Sequence, residues 1–369
     1  MRQFIVIFFV FYHVLSFAQS GNNEIRKNNN APANNVIKST DIEQSLTRSK
    51  LYSKTAKQQQ EMQALSSSIS TTLYRASRMS NQRSYTSDQL QQLKKAVNKL
   101  KALDKNSFQY HLYNYLQKPY NFEEIESLKA AERINAYDFS VLTSFSAYHY
   151  IHEDEANLKR YLKVLDQGKY FSFQLQNLAK LTLKSLPNNA MLITHGKDDS
   201  FPLLIEQKIK NTRPDVEIIC LDHLISETYR KKLMDRGFNI PQRERVDTEF
   251  LKSFVKQNDS ENLFVASSFP RPYLLNIPGK LHVVGFTMAL NESNQNNIKY
   301  YEKVLKPELQ DLLNRNQLIV LSNSLPLLFE VRNQFIEKGE QKKIQEIEQW
   351  LRLIGNKVGK SKQINALLN

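Results

Sequence analysis

The sequence predicts an α/β fold: a small, mostly parallel sheet with helices on both faces, flanked by N- and C-terminal helical, repeat-like regions. Between residues 190 and 268, short apolar runs alternate with amphipathic stretches at helical spacing. Such alternation with short connections argues for parallel strands joined by right-handed crossovers. On either side of that core, apolar residues instead recur every three or four positions, the period of a helix with one buried face. Only 9 glycines occur in 369 residues, too few for the corners of an all-β barrel.

The first eighteen residues, "MRQFIVIFFVFYHVLSFA", join one cation, Arg2, to an apolar run and a small-residue exit. That is the layout of a secretory signal peptide cleaved after Ala18, and the run is too short to favour a spanning helix. An uncleaved anchor is the competing reading. Residues 19–40, rich in Asn and poor in large apolar side chains, are expected to form a flexible leader.

Residues 41–185 are expected to be helical and repeat-like. The stretch 41–79 reads as a weak helix or a partly disordered arm. Leu90, Leu93, Val97, Leu100 and Leu103 mark a firm amphipathic helix that Ser87 can cap. Further helices are predicted in "FEEIESLKAAERI", "DFSVLTSFSAYHYIH", "ANLKRYLKVLDQGK" and "YFSFQLQNLAKLTLKSL". Their pairing through short turns suggests a tetratricopeptide-like array, although no 34-residue signature is present.

The α/β core is expected over 186–295, with strands in "AMLITHG", "DVEIICLD", "NLFVASS" and "KLHVVGFTMAL" and helices at 201–211, 226–237 and 247–258. Residues 296–369 return to helix. Cys220 reads as a buried structural thiol, and no disulfide framework or Cys metal cluster is present.

Open α/β sheets bind ligands at the carboxyl ends of their strands. The residues expected there, and so the candidate ligand-binding set, are Thr194, His195, Lys197, Asp198, Asp199, Asp222, His223 and Ser267, with Ser268 beside them. Histidine and carboxylate together can serve a hydrolytic or metal site. Against that stand the absent motifs: no HExxH, no GxSxG, no Walker-type loop and no SxxK. Asp199-Ser200 ahead of Phe201-Pro202 is also what a helix start requires, because either side chain can accept the orphan amide hydrogens. No cofactor and no metal ion are expected, and the catalytic residues are unknown.

The segment "LKSLPNNAMLITHGKDDSFPLLIEQKIKNTRPDVEIICLDHL" resembles the soluble extracytoplasmic module of Bacteroidota membrane proteins related to protein O-mannosyltransferases. The resemblance rests on Leu186, Pro187, Asn189, Ala190, Thr194, Gly196, Asp199, Phe201, Pro202, Leu203, Arg213, Asp215 and Val216, and is best over 186–225. It departs at His195, where the family has Asn, and at Lys197, where it has Asp. It implies the module and an envelope context, not transferase activity, since the multi-pass membrane half that would carry transfer is absent.

The formal charge is +14, from 51 Lys+Arg against 37 Asp+Glu. In an exported chain nucleic acid is not an expected partner. A solvated helix face accounts for much of this charge, and contact with a glycan or anionic lipid is the functional alternative. The expected function is a periplasmic, non-enzymatic binding or assembly module with envelope protein partners and no transmembrane segment in the mature chain. An outer-membrane export or assembly complex is its expected setting. The alternative is an enzyme or accessory acting on envelope glycans or glycoproteins.

Overall fold

A computed structural model describes residues 56–78, 85–120, 122–259, 262–291 and 296–369. The expected signal peptide at 1–18, its cleavage after Ala18 and the leader at 19–40 lie outside the described residues. The fold is mostly helical, with one small mixed five-stranded sheet that helical regions flank. The described chain divides into two compact units: a sheet unit of residues 171–220 and 252–369, and a helical unit of residues 56–170 and 221–251.

The helical unit opens with α1 (Ala56–Arg78) and α2 (Ser87–Asp104). Of the Ser- and Gln-rich stretch 41–79, read as a weak helix or a partly disordered arm, residues 56–78 form a helix, because Met62 and Ile69 find burial against Leu93, Val97 and Leu100 of α2. A capping box starts α2: the Gln89 N–H bonds the Thr86 hydroxyl at 3.2 Å, and the Thr86 N–H bonds Gln89 Oε1 at 2.9 Å. The cap is therefore Thr86 rather than Ser87. Four more helices follow, α3 (Phe108–Leu116), α4 (Ile125–Ile134), α5 (Phe139–Ile151) and α6 (Glu155–Gln167), with α3 packed on α4 and α5 on α6. Phe145, His149 and Tyr161 stack in that last pair, with ring centroids 5.1–6.1 Å apart.

In the sheet unit, α7 (Phe173–Ser185) leads into β1 (Met191–Thr194), α8 (Lys197–Lys208) and β2 (Glu217–Cys220). A 3-10 turn (Leu221–Ile225) and α9 (Glu227–Asp235) belong to the helical unit, and α10 (Thr248–Gln257) crosses the boundary. Then come β3 (Leu263–Ala266), α11 (Arg271–Asn276), β4 (His282–Val284) and β5 (Thr287–Ala289). Strand order is β2-β1-β3-β5-β4. β1 pairs in parallel with β2 and β3, and both are short apolar runs of the kind that stay buried.

The expectation of a mostly parallel sheet is corrected at its far edge. "KLHVVGFTMAL", read as one strand, is a hairpin in which β5 pairs antiparallel with both β4 and β3. The cause is Gly285-Phe286 between the strands: Gly285 has φ +57, the left-handed value a two-residue hairpin needs at its first central position. Asn297 clamps this turn, accepting from the Gly285 N–H at 2.9 Å and donating to the Val283 carbonyl at 2.7 Å.

The remaining helices are α12 (Asn297–Tyr300), a π turn (Tyr301–Leu305), α13 (Lys306–Asn314), α14 (Leu318–Glu337), α15 (Gln341–Lys357) and α16 (Ser361–Leu368). A stretch that reads as continuous helix from Leu328 to Gly355 is broken at Gly339, whose φ of +69 turns the chain back. α14 is buried on all sides from Ile319 to Phe329. It shares one core with Leu178 and Leu181 of α7, Phe286 of the hairpin, and Ile347, Leu351 and Ile354 of α15. The expected core and C-terminal regions are thus packed together. Among the described residues no helix is long and apolar enough to cross a membrane.

Candidate functional site

β1 is followed by β2 on one side and by β3 on the other, so the chain reverses direction across the sheet between β1 and β3. That topological switch point is where open α/β sheets form a crevice beyond the carboxyl ends of the strands. A half-open cleft lies there. Asp198 and Asp199 line it after β1, Ala266, Ser267 and Ser268 at the end of β3, Leu203 from α8 and Phe286 from the hairpin turn. Leu175, Leu178, Ala179 and Thr182 of α7 form the remaining wall.

The first loop folds differently from its expected form. α8 begins at Lys197 directly after Gly196, whose φ of +81 turns the strand into the helix without an intervening loop. The expected start at Phe201 moves back by one turn, and Pro202 lies inside the helix, where its missing N–H would face only the carbonyl of first-turn Asp198. Asp198 and Asp199 stand in the first turn, where the helix dipole favours negative charge. Asp199 Oδ2 accepts from the Ser268 hydroxyl at 2.7 Å and from the His195 N–H at 3.3 Å. One carboxylate therefore joins the ends of β1 and β3 to the start of α8.

Beneath this joint, Thr194 and Ser200 are wholly buried with their hydroxyl oxygens 2.7 Å apart. The Ser200 hydroxyl lies 2.8 Å from the Gly196 carbonyl and 3.1 Å from Cys220 Sγ. This polar knot ties β1, α8 and β2 together. Ser267, also buried, donates to Asn323 Oδ1 of α14 at 3.3 Å, while Asn323 Nδ2 donates to the Ile319 carbonyl at 2.8 Å.

The eight sequence-derived candidates therefore separate. Asp198, Asp199 and Ser267 line the cleft. Thr194 lies in the knot below, Lys197 is half-buried in the first turn of α8, and the His195 ring packs against Phe269 at 5.2 Å and Tyr273 at 5.4 Å. Asp222 and His223 belong to the helical unit. There His223 is wholly buried among Tyr120, Tyr150 and Tyr229, whose ring centroids lie 5.2–5.7 Å from its own.

The α7 wall was not read as part of the site. Its signal is present: Leu175, Leu178, Ala179 and Thr182 fall at i, i+3, i+4 and i+7, one face of a helix. Among the described residues no group of three or more His, Cys, Asp or Glu side chains is arranged to hold a metal ion. The cleft volume of about 20 Å³ holds about one water molecule.

The entry to the sheet is held from outside the cleft by Arg213. Its guanidinium donates to the carbonyls of Leu183, Leu186 and Pro187 at 2.5–3.1 Å and grips both oxygens of Asp215 at 2.7 and 2.8 Å. The guanidinium beside Asp215 holds that carboxyl well below the usual carboxylate range. Asp215 also accepts from the Asn189 N–H at 2.9 Å.

Residues 175–347 match the family model described as TMEM260-associated domain 2. The match takes in α7 from Leu175 onward, the whole sheet and every residue lining the cleft, and it ends within α15. The resemblance to proteins related to O-mannosyltransferases holds in this coarser form, as similarity to a domain named for TMEM260, a candidate protein O-mannosyltransferase. No curated protein and no solved structure gives a significant match.

Proposed function

We propose that the chain is a non-enzymatic binding and assembly module of a Bacteroidota-type cell envelope. It works in the periplasm as a subunit of an outer-membrane export or assembly complex. The observation that supports this reading best is the occupation of the switch-point crevice by the protein's own α7. Where a related fold would seat a ligand, this chain seats four side chains of a helix and leaves room for about one water. The polar groups at that edge hold structure: Asp199 receives Ser268 and His195, Ser267 is bound to Asn323, and Thr194 to Ser200.

The signal-like N-terminus supports export, and the paired helices of the helical unit support tetratricopeptide-like surfaces for protein partners. Purification from its own cell under native conditions tests the proposal. The chain should elute in a stoichiometric complex with an envelope protein. A strictly monomeric chain would count against it.

The second reading, an enzyme or accessory acting on envelope glycans or glycoproteins, draws on the position of Asp198 and Asp199 at the switch point. It requires α7 to move away from the cleft. Added glycan fragments would then protect the chain from proteolysis or heat, and no such protection is expected here.

A further inference from the structure

The helical unit carries a cationic helix face on α2. On α2, Leu93, Val97 and Leu100 are buried against Met62 and Ile69 of α1. The opposite face exposes Lys94, Lys95, Lys99 and Lys101, and Lys105 follows at the cap. At 100° per residue Lys94, Lys101 and Lys105 fall within about 40° of one another, while Lys95 and Lys99 lie about 100° and 140° round the helix from Lys94, so the five lysines spread across the exposed side of α2. The ribbon is roughly 16 Å long at 1.5 Å per residue. The carboxylates of this helix are Asp88 in the first turn and Asp104 at the end, where Asp104 accepts from the Asn106 N–H.

Elsewhere in the unit, exposed Lys163, Lys169 and Lys231 also have no carboxylate within ion-pair distance among the described residues, whereas four other lysines do. Lys118 pairs with Glu123 at 2.9 Å, Lys129 with Glu126 at 2.7 Å, Lys159 with Glu155 at 3.4 Å and Lys232 with Glu153 at 3.2 Å. Among the described residues, none of the five lysines of the α2 ribbon is within ion-pair distance of a carboxylate.

We infer that the α2 ribbon docks on a surface of anionic lipid headgroups. Charge complementarity requires an anionic partner, and the chemistry of the face selects a flat one. The ribbon is convex and built on lysine, whose compact ammonium groups lack the bidentate fork by which arginine recognises individual phosphates. Its exposed positions hold Ser, Asp, Gln, Lys, Asn and Ala, with no aromatic ring on which a base could stack. Diffuse attraction that adds with each lysine suits a bilayer surface, and salt screens it.

The test is co-sedimentation of the full chain with vesicles of phosphatidylcholine alone or with phosphatidylglycerol. The variant K94Q/K99Q/K105Q is compared with the control K118Q/K129Q/K159Q, which removes the same charge from paired sites. Glutamine keeps helix propensity, and circular dichroism verifies the fold of each. Binding should require the anionic lipid and fade at high salt. It should fall roughly a hundredfold in the α2 variant and stay within about twofold of wild type in the control. Equal losses in the two variants, or no preference for the anionic vesicles, would overturn the inference. So would an α2-dependent affinity for a single-stranded oligonucleotide without one for vesicles.

Discussion

Gly285 is seated directly against Ser185: a Cβ on Gly285 would lie 2.1 Å from that of Ser185. The Phe286 N–H also donates to the Ser185 hydroxyl, at 3.3 Å, so the hairpin turn is anchored on the last turn of α7. Since Phe286 and α7 both wall the cleft, this contact helps hold its walls together. Gly285→Ala combines the overlap with the left-handed φ and should destabilise the protein by about 2–5 kcal/mol. Thermal unfolding measures it. Adding Ser185→Gly should recover the packing part and leave the backbone part, which a double-mutant cycle separates.

Arg213 and Asp215 provide the second prediction. Arg213→Lys keeps the charge but loses the fork that serves three carbonyls and a carboxylate, at a cost of about 1–3 kcal/mol in denaturant melts. The pH dependence follows from the depressed Asp215 carboxyl. A group whose folded pKa lies below its unfolded value stabilises the fold above about pH 4, and that share is lost as pH falls from there through the folded value. Asp215→Asn should therefore flatten the loss of stability below pH 4 relative to wild type.

His149 acts in a different pH window. Its ring is stacked with Phe145 and Tyr161, and Nδ1 lies 3.0 Å from Asp154 Oδ2. Burial lowers its pKa, Asp154 opposes the shift, and Arg160 and His152 add to it. The folded value lies below the unfolded one, so the unfolded chain takes up the proton first. Stability should decline as pH falls below about 6.5. Midpoints between pH 7.5 and 5 should fall less in His149→Gln than in wild type, and parallel slopes would remove His149 as the cause.

Much of the architecture was legible because its signals are local. Leu93, Val97 and Leu100 are spaced for one helix face, and β1 and β3 are short apolar runs bounded by polar residues. What escaped depended on contacts distant in sequence. Gly285 could be read as a residue inside a strand until Ser185, one hundred positions earlier, is seen to press against it. The α1 stretch is too polar to announce a helix alone, and α2 supplies its buried face. At the candidate site, the residue types were visible, but not their engagement. Nothing local to Asp199 reveals that Ser268 shares its carboxylate, or that α7 covers the crevice.

Asp199→Asn tests the central claim, that this strand edge is a structural joint and not a reaction centre. Asparagine retains an oxygen to accept from Ser268 and from the His195 N–H, and gives up the charge favoured at the start of α8, worth about 0.3–1 kcal/mol. The decisive measurement is the envelope composition of a deletion strain complemented with this variant, taken beside its melting temperature. The account predicts full complementation and a midpoint within a few degrees of wild type. A variant that melts like wild type yet leaves the envelope as the deletion does would contradict it, because the carboxylate would then be needed for its chemistry.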